Sequence, residues 1–282
     1  MSDFRSPSTA PDGLRRRLLI GLGASAGLAL LARPVLATAA PTPSISPADA
    51  QAWLTASDEV RNPPGSFSLR NTLTEFRGGR QSAQSVLTVF ARPARNGGQY
   101  DNLVRFDSPA RDAGKLMLRN GLDLWFYDPT TRASVRISPQ QRLLGQASNG
   151  DVMSTRLALD YRADFVARET ITDGERETRE TIHLALTAGR EDVPYARLDY
   201  WMDANDQRPV MAHYRSVDGR LLKTAYFRKY REVLGQVRPT ETVIIDGLDP
   251  DWVTLMQTAD HALRDIPAAW MQREFLPRFR GE

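Results

Sequence analysis

From Gly65 to about residue 263 the chain of 282 residues alternates apolar and polar side chains with period two, broken by one long interruption, and few folds satisfy that pattern. Strand side chains point alternately to the two faces of a sheet, so such a chain must build a long antiparallel sheet with at least one buried face. Strands are predicted near 66–77, 84–92, 99–107, 113–119, 122–127 and 132–138. They resume near 164–173, 176–187, 194–204, 208–217, 220–233, 237–246 and 252–263. Gly78-Gly79, Gly97-Gly98, Asp173-Gly174, Asn205-Asp206, Asp218-Gly219 and Gly235 supply the turns between them. About a dozen sequential strands with short turns favour a barrel or a sandwich, and the helical pieces decide between the two.

Those pieces are three. Ser46-Pro47 opens a helix to about Val60, with Ser46 as N-cap, Pro47 at the first position and Asp49 in the first turn. Gln140–Leu144 and Val152–Tyr161 read as helical segments around the flexible Ser148-Asn149-Gly150, inside the interruption. A short helix is expected from Ile266-Pro267 to near Phe279. Ala50, Trp53, Leu54 and Ser57 share one face of the first helix, which is too short to stand alone and must pack on the sheet. The predicted fold class is therefore mainly β, an incomplete, half-open antiparallel β-barrel with helices as plug or lid.

Within this series one hairpin is unusual. Asn120-Gly121 supplies a tight turn, and Asp128-Pro129 ends the second strand, which carries Leu124, Trp125, Phe126 and Tyr127. Trp125 and Tyr127 project one way, Leu124 and Phe126 the other. Both faces are apolar, as in a strand buried twice or a strand lining an apolar cavity. Val104 and Phe106, Leu184 with its neighbours Ile182 and Leu186, and Tyr200 and Met202 likewise occupy single faces of their strands.

The N-terminus has the order of an export signal over residues 1–39. Arg15-Arg16-Arg17 precedes the apolar, Gly- and Ala-rich run Leu18–Leu31, and Ala37-Thr38-Ala39 is a small-residue cleavage site. The spacing of Arg15-Arg16 to Leu18-Leu19 resembles a twin-arginine signal, with the general secretory route as the alternative. Residues 40–46 read as a flexible leader, and 47–282 as a single domain. Of the 37 Lys and Arg residues five lie in the signal, and of the 34 Asp and Glu residues two do, so 32 of each sign remain. Nucleic-acid binding needs a clustered cationic excess, and this balance sets it aside.

With no cysteine, disulfides, thiolate metal sites, a Cys nucleophile and a lipid-modified N-terminal Cys are all excluded. His183, His213 and His261 lie on separate predicted strands at spacings of no metal motif. No nucleophile elbow, Walker or dinucleotide glycine pattern occurs, so no catalytic residue, metal or cofactor is assigned. The run Glu175–Glu180 alternates signs, as a solvated sheet face does.

Tyr100-Asp-Asn-Leu-Val-Arg-Phe-Asp-Ser-Pro109, followed by Gly121-Leu-Asp-Leu-Trp-Phe-Tyr-Asp-Pro129, resembles the LolA-like outer membrane lipoprotein-sorting proteins. In them an extended strand ending near a Pro precedes a strand of the form Gly-x-x-Leu-Trp-x-Tyr-x-Pro. The resemblance covers roughly Ser66 to Asp246 in strand order and is specific over 100–138. Where the housekeeping carrier has its lid arginine, this chain reads Asn96-Gly-Gly98. The resemblance implies a half-open barrel holding acyl chains in its concavity. It also implies a soluble, monomeric periplasmic carrier that exchanges lipid or lipoprotein with membrane-bound donor and acceptor proteins, without covalent chemistry. The cavity candidates are then Val104, Phe106, Leu124, Trp125, Phe126, Tyr127, Leu184, Tyr200 and Met202. An enzyme acting on an apolar substrate on the same scaffold, or a structural envelope protein whose concavity is filled by its own helices, are the alternatives.

Overall fold

Helix α1 (Pro47–Arg61) begins where the sequence signals it. Ser46 Oγ accepts the Asp49 N–H at 3.2 Å and the Asp49 carboxylate accepts the Ser46 N–H at 3.0 Å, a reciprocal capping box. It ends at Asn62, just before Pro63-Pro64, where the residue preceding a proline is driven to extended backbone. The computed structural model describes residues 45–94, 97–190 and 192–281. The export signal, the leader up to residue 44 and Asn96 lie outside the described residues.

The alternating segments form β1 (Phe67–Arg77), β2 (Arg80–Pro93), β3 (Tyr100–Ser108), β4 (Leu116–Asn120), β5 (Asp123–Asp128) and β6 (Ala133–Arg136). After the interruption come β9 (Tyr161–Thr172), β10 (Thr178–Ala188), β11 (Arg197–Asp203), β12 (Pro209–Arg215), β13 (Leu221–Val233), β14 (Gln236–Asp246) and β15 (Trp252–Leu263). Each predicted strand has its counterpart. All pair antiparallel in one 13-stranded sheet of order β6-β5-β4-β3-β2-β1-β15-β14-β13-β12-β11-β10-β9. Two meanders are thus joined through β1 and β15, where Phe67 faces Leu263 and Arg77 faces Trp252. The outer strands β6 and β9 do not pair, and the sheet stays open.

One face of the sheet carries two adjoining apolar clusters. Leu73, Leu87, Val89, Val104, Phe106 and Met117 gather on the first meander, and Ile182, Leu184, Leu186, Leu198, Tyr200 and Met202 on the second. Over the second cluster lies α1, burying Ala50 and Leu54. Gln51 ties it down, donating to the Ala158 carbonyl at 2.8 Å and accepting from the Ala163 N–H at 2.9 Å. Ser57 Oγ meets Tyr200 Oη at 2.8 Å in the buried interface.

Three local expectations are corrected. Gln140–Leu144 is not helical: β7 (Arg142–Leu144) pairs with β8 (Ala147–Ser148) around Gly145, which takes a φ of 54°. Of Val152–Tyr161 only α2 (Leu157–Asp160) is helical, because the backbone before it bonds to sheet side chains rather than to itself. The C-terminal helix is two 3-10 turns, Ala268–Met271 and Arg273–Arg278, parted at Gln272, with Pro277 unable to donate inside the second.

The aromatic hairpin turns one residue later than Asn120-Gly121. Asn120 pairs with Asp123, Gly121 holds the positive φ of 59°, and Asn120 Nδ2 donates to the Met271 carbonyl at 2.7 Å.

Candidate functional site

The interruption between β6 and β9 forms a roof over the inner face of the first meander. Leu143, Leu144, Ala147, Val152 and Met153 pack down on Leu73, Val104, Phe106 and Leu124. Its backbone is held by side chains of the sheet. Asn71 Nδ2 donates to the Val152 carbonyl at 3.3 Å. Asn102 donates to the Ser154 carbonyl at 3.0 Å and accepts its N–H at 2.9 Å. Thr254 Oγ1 accepts the Gln146 N–H at 2.7 Å. A Cβ on Gly145 would collide with that same Thr254 hydroxyl, so the turn of the roof can come this close only as glycine.

The strongest anchor is an ion pair. Lys223, on β13 at an inward position beside Ala225 and Phe227, pairs with Asp151 and donates to the Gln146 carbonyl at 3.2 Å. Tyr195 Oη donates to Asp151 Oδ1 at 3.1 Å and lies 2.9 Å from Ser148 Oγ. Lys223 Nζ stands 4.7 Å from the Tyr195 ring centre and 4.9 Å from that of Tyr214. Burial pulls the Lys223 pKa below the usual lysine range, and Asp151 opposes that pull. Burial also pushes the Tyr200 hydroxyl up to about 12, leaving it a neutral hydrogen-bonding group under α1.

Between roof and sheet remains a cavity of about 90 Å³, lined by Met153, Tyr161, Leu198, Tyr214, Phe227 and Met256 among others, with Asp151 and Lys223 at its wall. That is room for about three waters, against the ~300 Å³ or more of a pocket that encloses a sizeable ligand. The roof is closed, and an acyl chain would need it lifted.

The structure divides the sequence-predicted residues between two faces. Val104, Phe106, Leu124 and Phe126 lie under the roof, with Phe106 and Phe126 edge to face at 6.0 Å. Leu184, Tyr200 and Met202 lie under α1. Trp125 and Tyr127 point the other way, packing with Phe90, Leu103 and Leu118 beneath Ile266, Met271 and Leu276 of the C-terminal segment. Arg273 sits 4.1 Å from the Trp125 ring centre. The anchors Asn71, Asn102, Asp151, Tyr195 and Lys223 were not among the expected site residues. For the three on strands the signal was a polar residue at an inward position of an apolar face: Asn71 two residues before Leu73, Asn102 two before Val104, Lys223 two before Ala225; Asp151 and Tyr195 lie outside the strands and carried no such signal.

His183 and His213 lie on the outer face of β10 and β12, stacked on and edge to Trp201 at 4.2 and 4.8 Å, while His261 is on β15. Among the described residues no helix is long and apolar enough to cross a membrane.

The large open antiparallel sheet matches the LolA-like open barrel, and solved structures of that class are similar to it. A LolA superfamily protein from Nitrosomonas europaea is 29% identical, with a TM-score of 0.72 over 80% of this chain and 98% of its own. A putative outer membrane lipoprotein-sorting protein domain from Vibrio parahaemolyticus is 16% identical, with a TM-score of 0.69 over 83% of this chain and 100% of its own. A DUF1329 family protein from Desulfovibrio piger is 19% identical, with a TM-score of 0.68 over 80% and 97%. A family model described as an uncharacterized protein matches residues 98–278, and the chain belongs to that family; its likeness to the LolA-like proteins is that of the solved structures above. No curated protein matches it.

Proposed function

We propose that this chain is a periplasmic carrier that binds the acyl chains of a lipid or lipoprotein against the inner face of its sheet and passes them between membrane-bound donor and acceptor proteins. The observation that carries the reading is how the roof is attached. Residues 146–154 cover an apolar face, yet much of what fixes them is polar: Asn71, Asn102, Lys223 and Thr254 each hold a roof backbone group. The neutral bonds are each worth only about 0.5–1.5 kcal/mol net and that of the Lys223 ammonium about 1.5–3, because water replaces them on opening. Burial of an acyl chain returns about 0.8 kcal/mol per methylene, enough over a long chain to offset the lost roof contacts.

The cysteine-free sequence allows a single reporter. Met153→Cys carrying an environment-sensitive fluorophore is expected to change emission when a fatty acid or lysolipid is added, and lipid is expected to co-purify from the native periplasm. A roof that does not respond to any acyl ligand, in a protein that takes up none, would refute the proposal.

A second reading, catalysis on an apolar substrate, is favoured by the buried cluster of Asp151, Lys223, Tyr195 and Ser148. All four are engaged with the roof or with one another, which suits an anchor. Lipid uptake by the double variant Asp151→Asn, Lys223→Met separates the two readings, since a carrier keeps it and gains an easier opening.

A further inference from the structure

At the end of β10, β11 and β12 the loop carrying Pro194 and Tyr195 has the roofed cavity on one side and an open groove of about 760 Å³ on the other. The groove has two kinds of wall. Val193, Val217 and Leu222 are apolar, and Val217, on the β12–β13 turn, is 80% exposed, more than any other large apolar side chain among the described residues. Arg190, Arg197 and Arg215 are cationic, and no acidic side chain among the described residues lines the groove. Arg197 and Arg215 are direct cross-strand partners, so two arginines project from the same face of the sheet. Like charges placed so are destabilising unless something neutralises them. Asp199 takes Arg215 at 2.6 Å and Asp192 takes Arg190, but the Arg197 side chain has no ionic or hydrogen-bonding partner among the described residues.

We propose that this groove is a headgroup subsite that selects an anionic lipid. Its phosphate or carboxylate is bound by Arg197 together with Arg215, and the start of its chain lies along Val193, Val217 and Leu222 toward the Pro194–Tyr195 wall. The inference rests on the carrier reading and adds the sign of the cargo. Arginine suits the task because its planar fork binds a tetrahedral or planar oxyanion through two parallel N–H bonds. The apolar wall is what distinguishes a lipid from a free anion of the same charge.

The test uses the purified chain and three probes: a lysophosphatidylglycerol, a lysophosphatidylcholine of the same chain length, both below their micelle concentrations, and glycerol phosphate. The wild type is expected to bind the anionic lysolipid at least tenfold more tightly than the zwitterionic one, with the preference shrinking as salt is raised. Arg197→Gln, at an exposed side chain whose loss breaks no contact among the described residues, and Arg197→Glu should cut that preference severalfold and abolish it, leaving lysophosphatidylcholine binding unchanged. Arg162→Gln, an exposed arginine on β9 outside the groove, should alter neither. Equal binding of the two lysolipids, insensitive to Arg197, would overturn the headgroup subsite while the carrier reading stands. Glycerol phosphate binding as tightly as the anionic lysolipid would make the groove a plain anion site and overturn its assignment to lipid. Binding of neither lysolipid would sink the carrier reading and this inference with it.

Discussion

The two meanders of the sheet are built from the same alternation but bury it differently. In β2–β5 both faces are covered: Leu87, Val104 and Leu124 by the roof, Phe90, Leu103 and Leu118 by the C-terminal 3-10 turns. In β9–β12 α1 covers only the inner face, and the outer face carries charged and aromatic groups: Glu169, His183, Asp199, Trp201 and His213. Trp201 is sheltered there not by a second layer but by the two imidazoles, and its indole N–H donates to Glu169 at 2.7 Å. Strand alternation therefore says which residues share a face, not how many faces are buried. That depends on segments far away in sequence.

The largest expected effect comes from removing one cover. Ending the chain after Arg264 uncovers Phe90, Leu103, Leu116, Leu118 and Tyr127 on the outer face of the first meander. Since a single Leu→Ala at such a position costs about 2–5 kcal/mol, loss of the whole layer should exceed that and leave an aggregation-prone protein that binds hydrophobic dyes. A truncated chain with an unchanged urea midpoint would show that the covered face contributes no more than the open one.

Next is the ion pair that anchors the roof to the second meander. Lys223→Met should cost about 3–5 kcal/mol, because it leaves Asp151 buried without its partner. Adding Asp151→Asn should recover most of the loss. If the single and the double variant are equally destabilised in urea, the pair holds nothing and the lysine matters only as packing. A smaller effect, about 1 kcal/mol, is expected from Ser46→Ala, which removes the cap of α1 and so weakens the helix that lies over the second inner face. Hydrogen exchange should register it in α1 and β9–β11 and not in β2–β5.

How far these differences were legible follows from where their causes sit. The strands were, because period two is a local property and the turns carry their own glycines, as at Gly78-Gly79 with φ of 54° and 74°. So was the start of α1, where Ser46, Pro47 and Asp49 are contiguous. The roof was not, because residues 142–156 take their shape from Asn71, Asn102, Lys223 and Thr254, which the chain brings to them from up to 108 residues away. Nor was the inward face of β5. Leu124-Trp-Phe-Tyr127 is apolar on both sides, and the choice was made by the segment 266–279 lying over Trp125 and Tyr127.

The smallest effect expected is that of pH, and it too separates the halves, since His213 lies on β12 and His261 on β15. Burial pulls the His213 pKa below its ordinary value of 6.5, with Arg215 and His183 pulling the same way and Asp199 opposing. Burial likewise lowers His261, with Arg238 adding to it and Asp260 opposing. A folded-state pKa below the unfolded one means that, as pH falls through 6.5 toward the depressed value, the unfolded chain takes up protons that the native one does not. Stability is therefore full above that range and declines within it. Between pH 7.5 and 5.5 the amides of β10–β13 are expected to lose exchange protection relative to those of β2–β5. His213→Gln should flatten the difference, because glutamine keeps a polar side chain against Trp201 without the titration. If both meanders lose protection alike, the acid sensitivity lies in the carboxylates that both halves share; if the variant keeps the full pH dependence, it lies in His261 or in those carboxylates, and in either case His213 on the open outer face is not where it arises.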